Sequence, residues 1–223
     1  IRFKKHDLDM DEDISIIDTK TRNEKIKNFF INNKNKILTF LILIIVIFIS
    51  FFGFKEYENS KRKQISDAYN AAIIDYSNGD LDSIKERLKI IIKEKDPTYS
   101  PLSLYFIIDN KLTENQKEVN DLFDILINKT SLEKEIKNLI IYKKALYNAD
   151  TVSEGELLAI LNPLINSKSV WKSHGLYLLA EYFYSKNEKK KSKEFFNQIL
   201  NVENANPDII QKTQKRLNRD LSE

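Results

Sequence analysis

The sequence predicts an all-α protein in two parts, a single membrane-spanning helix near the N-terminus and, behind it, a run of stacked amphipathic helix pairs. Three observations predict it. There is one uninterrupted apolar run; apolar residues recur at spacings of three and four through most of the remainder; and 223 residues hold only four glycines and four prolines, too few to turn the hairpins of a sheet. The Ile-rich runs at 90–92 and 139–141 could pass for strands, yet each lies inside a longer segment of 3.6-residue period.

Residues 1–25 hold an acidic stretch, Asp7 to Asp18, between basic flanks, and are expected to form a disordered arm. Residues 26–36 form an amphipathic juxtamembrane segment. From Ile37 to Phe54 the chain reads ILTFLILIIVIFISFFGF, eighteen residues without a charge between Lys36 and Lys55. As a helix that run is about 27 Å long against a hydrocarbon core of about 30 Å, so it spans with little tilt. Fifteen of the eighteen are Leu, Ile, Val or Phe. At about −0.3 to −0.6 kcal/mol each they favour insertion by roughly 5–9 kcal/mol, which Thr39, Ser50 and Gly53 do not reverse. A buried core helix would carry polar interruptions. A cleaved signal sequence would end its apolar stretch on small residues, where Phe51, Phe52 and Phe54 stand instead, so an uncleaved anchor is expected. Five Lys or Arg in the fifteen residues before the run and four in the fifteen after lean toward a cytoplasmic N-terminus.

Residues 55–223 are read as one helical domain, large enough to bury a core. Leu81, Ile84, Leu88 and Ile91 form one stripe; Val119, Leu122, Phe123, Leu126 and Ile127 a second; Ile136, Leu139, Ile140, the stem of Lys143 and Leu146 a third. Leu157, Leu158, Leu161 and Leu164, then Leu176, Leu179, Ala180 and Phe183, continue the series, and each face needs a neighbour to cover it. Turn signals centre near Gly79, Thr113, Asp150 and Asn187, separated by 34, 37 and 37 residues. A tetratricopeptide unit, one helix-turn-helix of about 34 residues, recurs at nearly that period, so the domain is expected to be a tetratricopeptide-like α-solenoid. The clearest unit begins at Trp171. With Ser173 as its first position, Leu176, Leu179, Ala180, Phe183, Ser192, Phe196 and Ile199 fall where such a helix pair interlocks, the small Ala180 and Ser192 admitting close approach and the two Phe rings filling the gap beside them. Pro207 stands three positions later than the usual terminating proline, and around Gly79 only Ala72, Gly79, Leu88 and Ile91 keep register.

Composition excludes several functions. Net charge is +2 over residues 1–36 (9 basic, 7 acidic) and +1 over 55–223 (27 basic, 26 acidic), and most Lys clusters have an acid one turn away, which argues against nucleic acid as a partner. No cysteine means no disulfide, thiolate or acylated anchor. Gly53, Gly79, Gly155 and Gly175 are too scattered for a phosphate loop or a nucleophile elbow, and His6 and His174 have no second imidazole beside them for a metal. Neither cofactor, metal nor small-molecule substrate is expected, and no catalytic residue is assigned. Trp171, Tyr177 and Tyr184 are candidates to line a peptide groove, since aromatic rings supply contact area at low entropic cost, although core packing explains such residues too. The run 188–193 (EKKKSK) reads as a solvated face, and the sequon at Asn128 matters only in a eukaryotic secretory route.

The juxtamembrane string IKNFFINNKNKILTF, the neck KEYENSKRKQISDAYNAAIIDYSNGD from Lys55 to Asp80 and the block from Trp171 to Leu200 together resemble the bacterial single-pass, tetratricopeptide-like proteins known as ancillary subunits of the Sec translocon. The resemblance covers about Ile26 to Leu217 and lies in the order of parts: an amphipathic FF segment, a membrane helix, a charged neck, then loose repeats. It implies an inner-membrane protein with its N-terminus in the cytoplasm and its domain in the periplasm, associated with translocon subunits and meeting periplasmic chaperones or emerging client chains. The alternative is a structural organiser of the cell envelope, self-associating through the neck at 56–76 to place division or outer-membrane assembly machinery. That neck lacks an a/d seam sustained over three heptads.

Overall fold

A computed structural model describes residues 21–77 and 79–221, and among these it holds ten helices and no strand. Helix α1 covers 21–32. It is followed by α2 (Lys34–Asp75), α3 (Leu81–Lys93), α4 (Tyr99–Asp109), α5 (Gln116–Lys129), α6 (Lys134–Asn148), α7 (Glu154–Ile165), α8 (Lys172–Ser185), α9 (Lys189–Leu200) and α10 (Pro207–Asp220). Two compact units divide the chain, Ile1–Lys61 and Arg62–Glu223, and α2 contributes residues to both.

In the first unit residues 21–25, expected within the disordered arm, are helical; residues 1–20 of that arm lie outside the described residues. Helix assignment lapses only at Asn33, and the hydrogen-bond ladder runs on through it: the Asn33 amide donates to the Phe29 carbonyl at 3.0 Å and Ile37 to Asn33 at 2.9 Å. α2 is the one helix among the described residues long and apolar enough to cross a membrane, and none of its apolar window is buried within the protein. Phe40, Ile49 and Phe52 are 63%, 67% and 64% exposed. The Thr39 hydroxyl donates to the Asn35 carbonyl at 2.9 Å, so this polar group is satisfied inside its own helix, as a hydrocarbon solvent requires.

The second unit begins within α2, where Ile65 and Ala72 are buried. Helix starts there recur in two interleaved series. The helices α3, α5, α7 and α9 start at residues 81, 116, 154 and 189; α4, α6, α8 and α10 start at 99, 134, 172 and 207; both series advance by 35, 38 and 35 residues. Extensive packing joins helices one or two apart in sequence. Polar ties join positions about one such interval apart: Lys191 to Glu154 at 2.9 Å, the Ser169 hydroxyl to Glu135 at 2.7 Å, and Arg216 to Glu181 through a bidentate pair with one arm at 2.8 Å. The core passes through three adjoining clusters, around Leu88, Leu104 and Phe123, then Leu157, Leu161 and Phe183, then Leu176, Phe196 and Ile199.

Local chemistry fixes the helix ends. The side chains of Asp80, Asn115 and Asn206 accept from the first-turn amides of α3, α5 and α10, and Ser153 with Glu156 closes a reciprocal capping box on α7. Asp96 caps the turn into α4, its Oδ1 accepting from Thr98 at 2.8 Å and Tyr99 at 2.7 Å, with Pro97 fixing the entry. Pro207, displaced from the expected terminating position, does the same for α10 behind Asn206. Glycine is scarce at the C-termini, so Lys95, Lys111 and Asn187 take left-handed backbone there, at φ 59, 51 and 61°. At Lys111 and Asn187 the following amide reaches back to Ile107 and Phe183 respectively, each at 2.9 Å, which completes Schellman caps.

Two of the expected stripes shift. In α6 the buried positions are Asn138, Ile140, Ile141, Ala145 and Asn148, while Ile136 and Leu146 are exposed. The core face carries two asparagines, and a reading by apolar residues alone lands to one side of it. In α3 Leu81 is exposed and Ile92 joins Ile84, Leu88 and Ile91 in the core.

Candidate protein-binding surface

Helices α8 and α9 bring together the seven residues that the sequence spacing marked as packing positions. Leu176, Leu179, Ala180 and Phe183 of α8 and Ser192, Phe196 and Ile199 of α9 are each no more than 1% exposed. Phe183 stacks on half-buried Phe195, at 5.4 Å and 2° between ring planes, while Phe196 meets Tyr177 edge-on at 5.5 Å. The two rings expected to fill one gap thus have different partners. Close approach also occurs at Gly175, where a Cβ would lie 3.1 Å from Leu164 Cδ2, so α7 sits against the bare backbone of α8.

The three aromatic candidates do not share one groove. Trp171 stands at the N-cap of α8 and stacks on Tyr142 of α6 at 6.0 Å and 18°, with His174 at 5.0 Å. Tyr177 and Tyr184 lie roughly two and roughly four turns further along α8 on another face, toward α10. Arg216 of α10 sits over the Tyr184 ring at 4.7 Å while pairing with Glu181 and, at 2.7 Å, with Asp220. His174 and Tyr177, three residues apart, put the two aromatic groups next to each other along the helix. A second ring and cation pair joins the preceding helices, Lys143 of α6 over Tyr105 of α4 at 4.3 Å.

Electrostatics at these positions favours neutral rings beside fixed charges. Burial pushes the Tyr105 hydroxyl up to about 12, with Asp109 adding to the effect. Burial likewise raises Tyr142 and, with help from Glu181, Tyr177, and it lowers His174, where Lys212 acts in the same direction. The pairing of Asp220 with Arg219 and Arg216 holds its carboxyl well below the ordinary range. The result is a set of half-buried rings that present apolar edges between permanent charges, with the Tyr105 hydroxyl itself buried.

Tyr142, Glu181, Arg216 and Tyr105 were not singled out by the sequence reading, and Lys143 was read only as a stem in the third apolar stripe. Arg216 and Glu181 carried one usable signal, opposite charge at a separation of 35 residues, close to the repeat interval. Tyr142 and Tyr105 carried none, because each stands among apolar residues that read as core.

No family model matches the chain, and no curated protein and no solved structure matches it.

Proposed function

We propose that this protein is a membrane-tethered, protein-binding module whose tetratricopeptide-like helix pairs act beside the bilayer as an ancillary subunit of a Sec-type translocon, meeting chaperones or emerging chains on the periplasmic side. The observation that carries the reading is the twofold recurrence of helix starts at intervals of 35, 38 and 35 residues behind one exposed apolar helix. An interval of about 34 residues is that of a tetratricopeptide helix pair, and arrays of such pairs bind extended segments of other proteins. Half-buried rings with adjoining charges on α4, α6, α8 and α10, the helices of one series, suit such a partner. The translocon assignment rests on the resemblance in the order of parts and is the more specific half of the proposal.

Site-specific photo-crosslinking tests both halves. Probes placed through 37–54 and the neck are expected to capture channel subunits, and probes at Tyr177, Tyr184 and Tyr105 to capture chaperone or client chains. Absence of any channel adduct from the membrane helix and neck would contradict the translocon assignment; absence of adducts from the three tyrosines would contradict the binding surface.

A further inference from the structure

The segment ahead of the apolar run carries an uncovered strip of its own. In α1 Ile26, Phe29 and Phe30 are 49%, 60% and 55% exposed. The ladder continues through Asn33, so helical phase can be followed from 24 to 37 at about 100° per residue. Phe29, Phe30 and Ile37 then fall within about 60° of Ile26, and Lys25, Lys27, Lys34 and Lys36 fall about 80–100° to either side of it. Glu24, Asn28, Asn32 and Asn35 fall on the far face, while Asn33 falls about 20° from Ile26, a polar interruption of the strip whose side-chain amide donates to the Phe29 carbonyl of its own helix at 2.9 Å. Ile31, also exposed, lies off the strip.

An apolar strip with lysines along both edges is the pattern of a helix lying in a membrane interface: the rings enter the acyl boundary while each lysine stem follows the apolar surface outward and its ammonium meets a phosphate. A protein groove would cover the strip without requiring cations on both of its sides. The local balance of four Lys against one Glu over 24–36 favours an anionic surface. The chain also passes from Lys36 directly into the apolar run, so the bilayer that takes the run is within reach of the strip.

We propose that residues 24–36 form an interfacial helix on the leaflet where the membrane span begins, with Ile26, Phe29 and Phe30 in the acyl boundary and Lys25, Lys27, Lys34 and Lys36 on anionic phospholipid headgroups. Lying in the interface requires the axis to turn on its way into the span, and the proposal puts that turn at Asn33, the one lapse in helix assignment there, with the hydrogen bonds across it retained. The proposal rests on 37–54 spanning the membrane, and the test separates the two.

The chain has no cysteine, so single cysteines can be spin-labelled one at a time in the full-length protein. The protein is reconstituted into vesicles of phosphatidylcholine with one quarter phosphatidylglycerol, and oxygen and nickel-chelate collision rates are read at positions 24–32 and 41–50. Oxygen is expected to dominate throughout 41–50. Over 24–32 the ratio should oscillate with a 3.6-residue period, lipid-facing at 26 and 30 and water-facing at 28 and 32. Replacing Lys25, Lys27, Lys34 and Lys36 with Gln should reduce the oscillation at least twofold. Uniform nickel access over 24–32 with 41–50 in lipid would overturn this inference alone. Nickel access over 41–50 would overturn the membrane reading and the inference with it. An oscillation unchanged by the Lys→Gln variant would overturn the headgroup contact.

Discussion

Phe48 and Phe196 are the same side chain in the same kind of element, yet Phe48 is 57% exposed and Phe196 is fully buried. The surroundings decide the difference. Around Phe48 every helical face is apolar, so no orientation of the helix could hide it within a soluble neighbour and a hydrocarbon solvent is the environment that suits it. Around Phe196 the run KKKSKEFFNQIL alternates lysines and amides with apolar residues at helical spacing, so α9 has a wet face and a dry one. Total hydrophobicity thus separates the first unit from the second less sharply than the angular distribution of the same residues does.

The largest expected effect breaks the first half of the comparison. Ile44→Lys combined with Ile45→Lys replaces two favourable insertion terms with two unfavourable ones, a change of about 6–8 kcal/mol against the roughly 5–9 kcal/mol available. Most of that variant should leave the membrane fraction while its helical unit keeps the wild-type melting profile by circular dichroism. Next is a matched pair of truncations. Phe196→Ala should lower the stability of the helical unit by about 3–5 kcal/mol, read from denaturant midpoints, whereas Phe48→Ala should leave that midpoint within about 0.5 kcal/mol. Equal effects would mean that the two rings share one kind of environment.

A smaller effect probes the asparagines that displaced the α6 stripe. Asn148 is 1% exposed and bonds Asn120 in both directions, at 2.9 and 2.8 Å, accepts from Gln116 at 2.9 Å and donates to the Lys144 carbonyl at 2.7 Å. Asn148→Leu leaves the half-buried amide of Asn120 on α5 without its partner and should cost about 1 kcal/mol, despite adding apolar surface to a core position. A gain in stability would show that the network is dispensable. The smallest effect has the opposite sign. Lys111→Gly relieves left-handed strain at the end of α4 and should stabilise by about 0.5–1 kcal/mol, seen as a raised denaturant midpoint.

Legibility in the sequence followed the same distinction between pattern and total. The stripe of α5 was readable because its polar and apolar residues separate by face, those of α7 and α8 because their apolar residues recur at spacings of three and four, and the apolar run because no charge interrupts it; the turns at Gly79, Thr113, Asp150 and Asn187 all fall between consecutive helices. Helix α4 formed no readable stripe because YSPLSLYFIID is apolar on most faces, and α10 formed none because buried Thr213 takes a place where an apolar residue would have marked the core. The α6 face was misplaced because Asn138 and Asn148 lie on it. At the surface, the seven packing residues of α8 and α9 followed from spacing, but the separation of Trp171 from Tyr177 and Tyr184 did not. Which neighbour a helical ring faces depends on α6 and α10, and local periodicity carries no record of them.

The account depends most on residues 37–54 lying across a bilayer and remaining attached to the helical unit. Alkaline carbonate extraction of membranes containing the full-length chain tests this directly. The protein should stay with the pelleted membranes, at full length, under conditions that strip peripheral proteins. Its release into the supernatant would contradict the account.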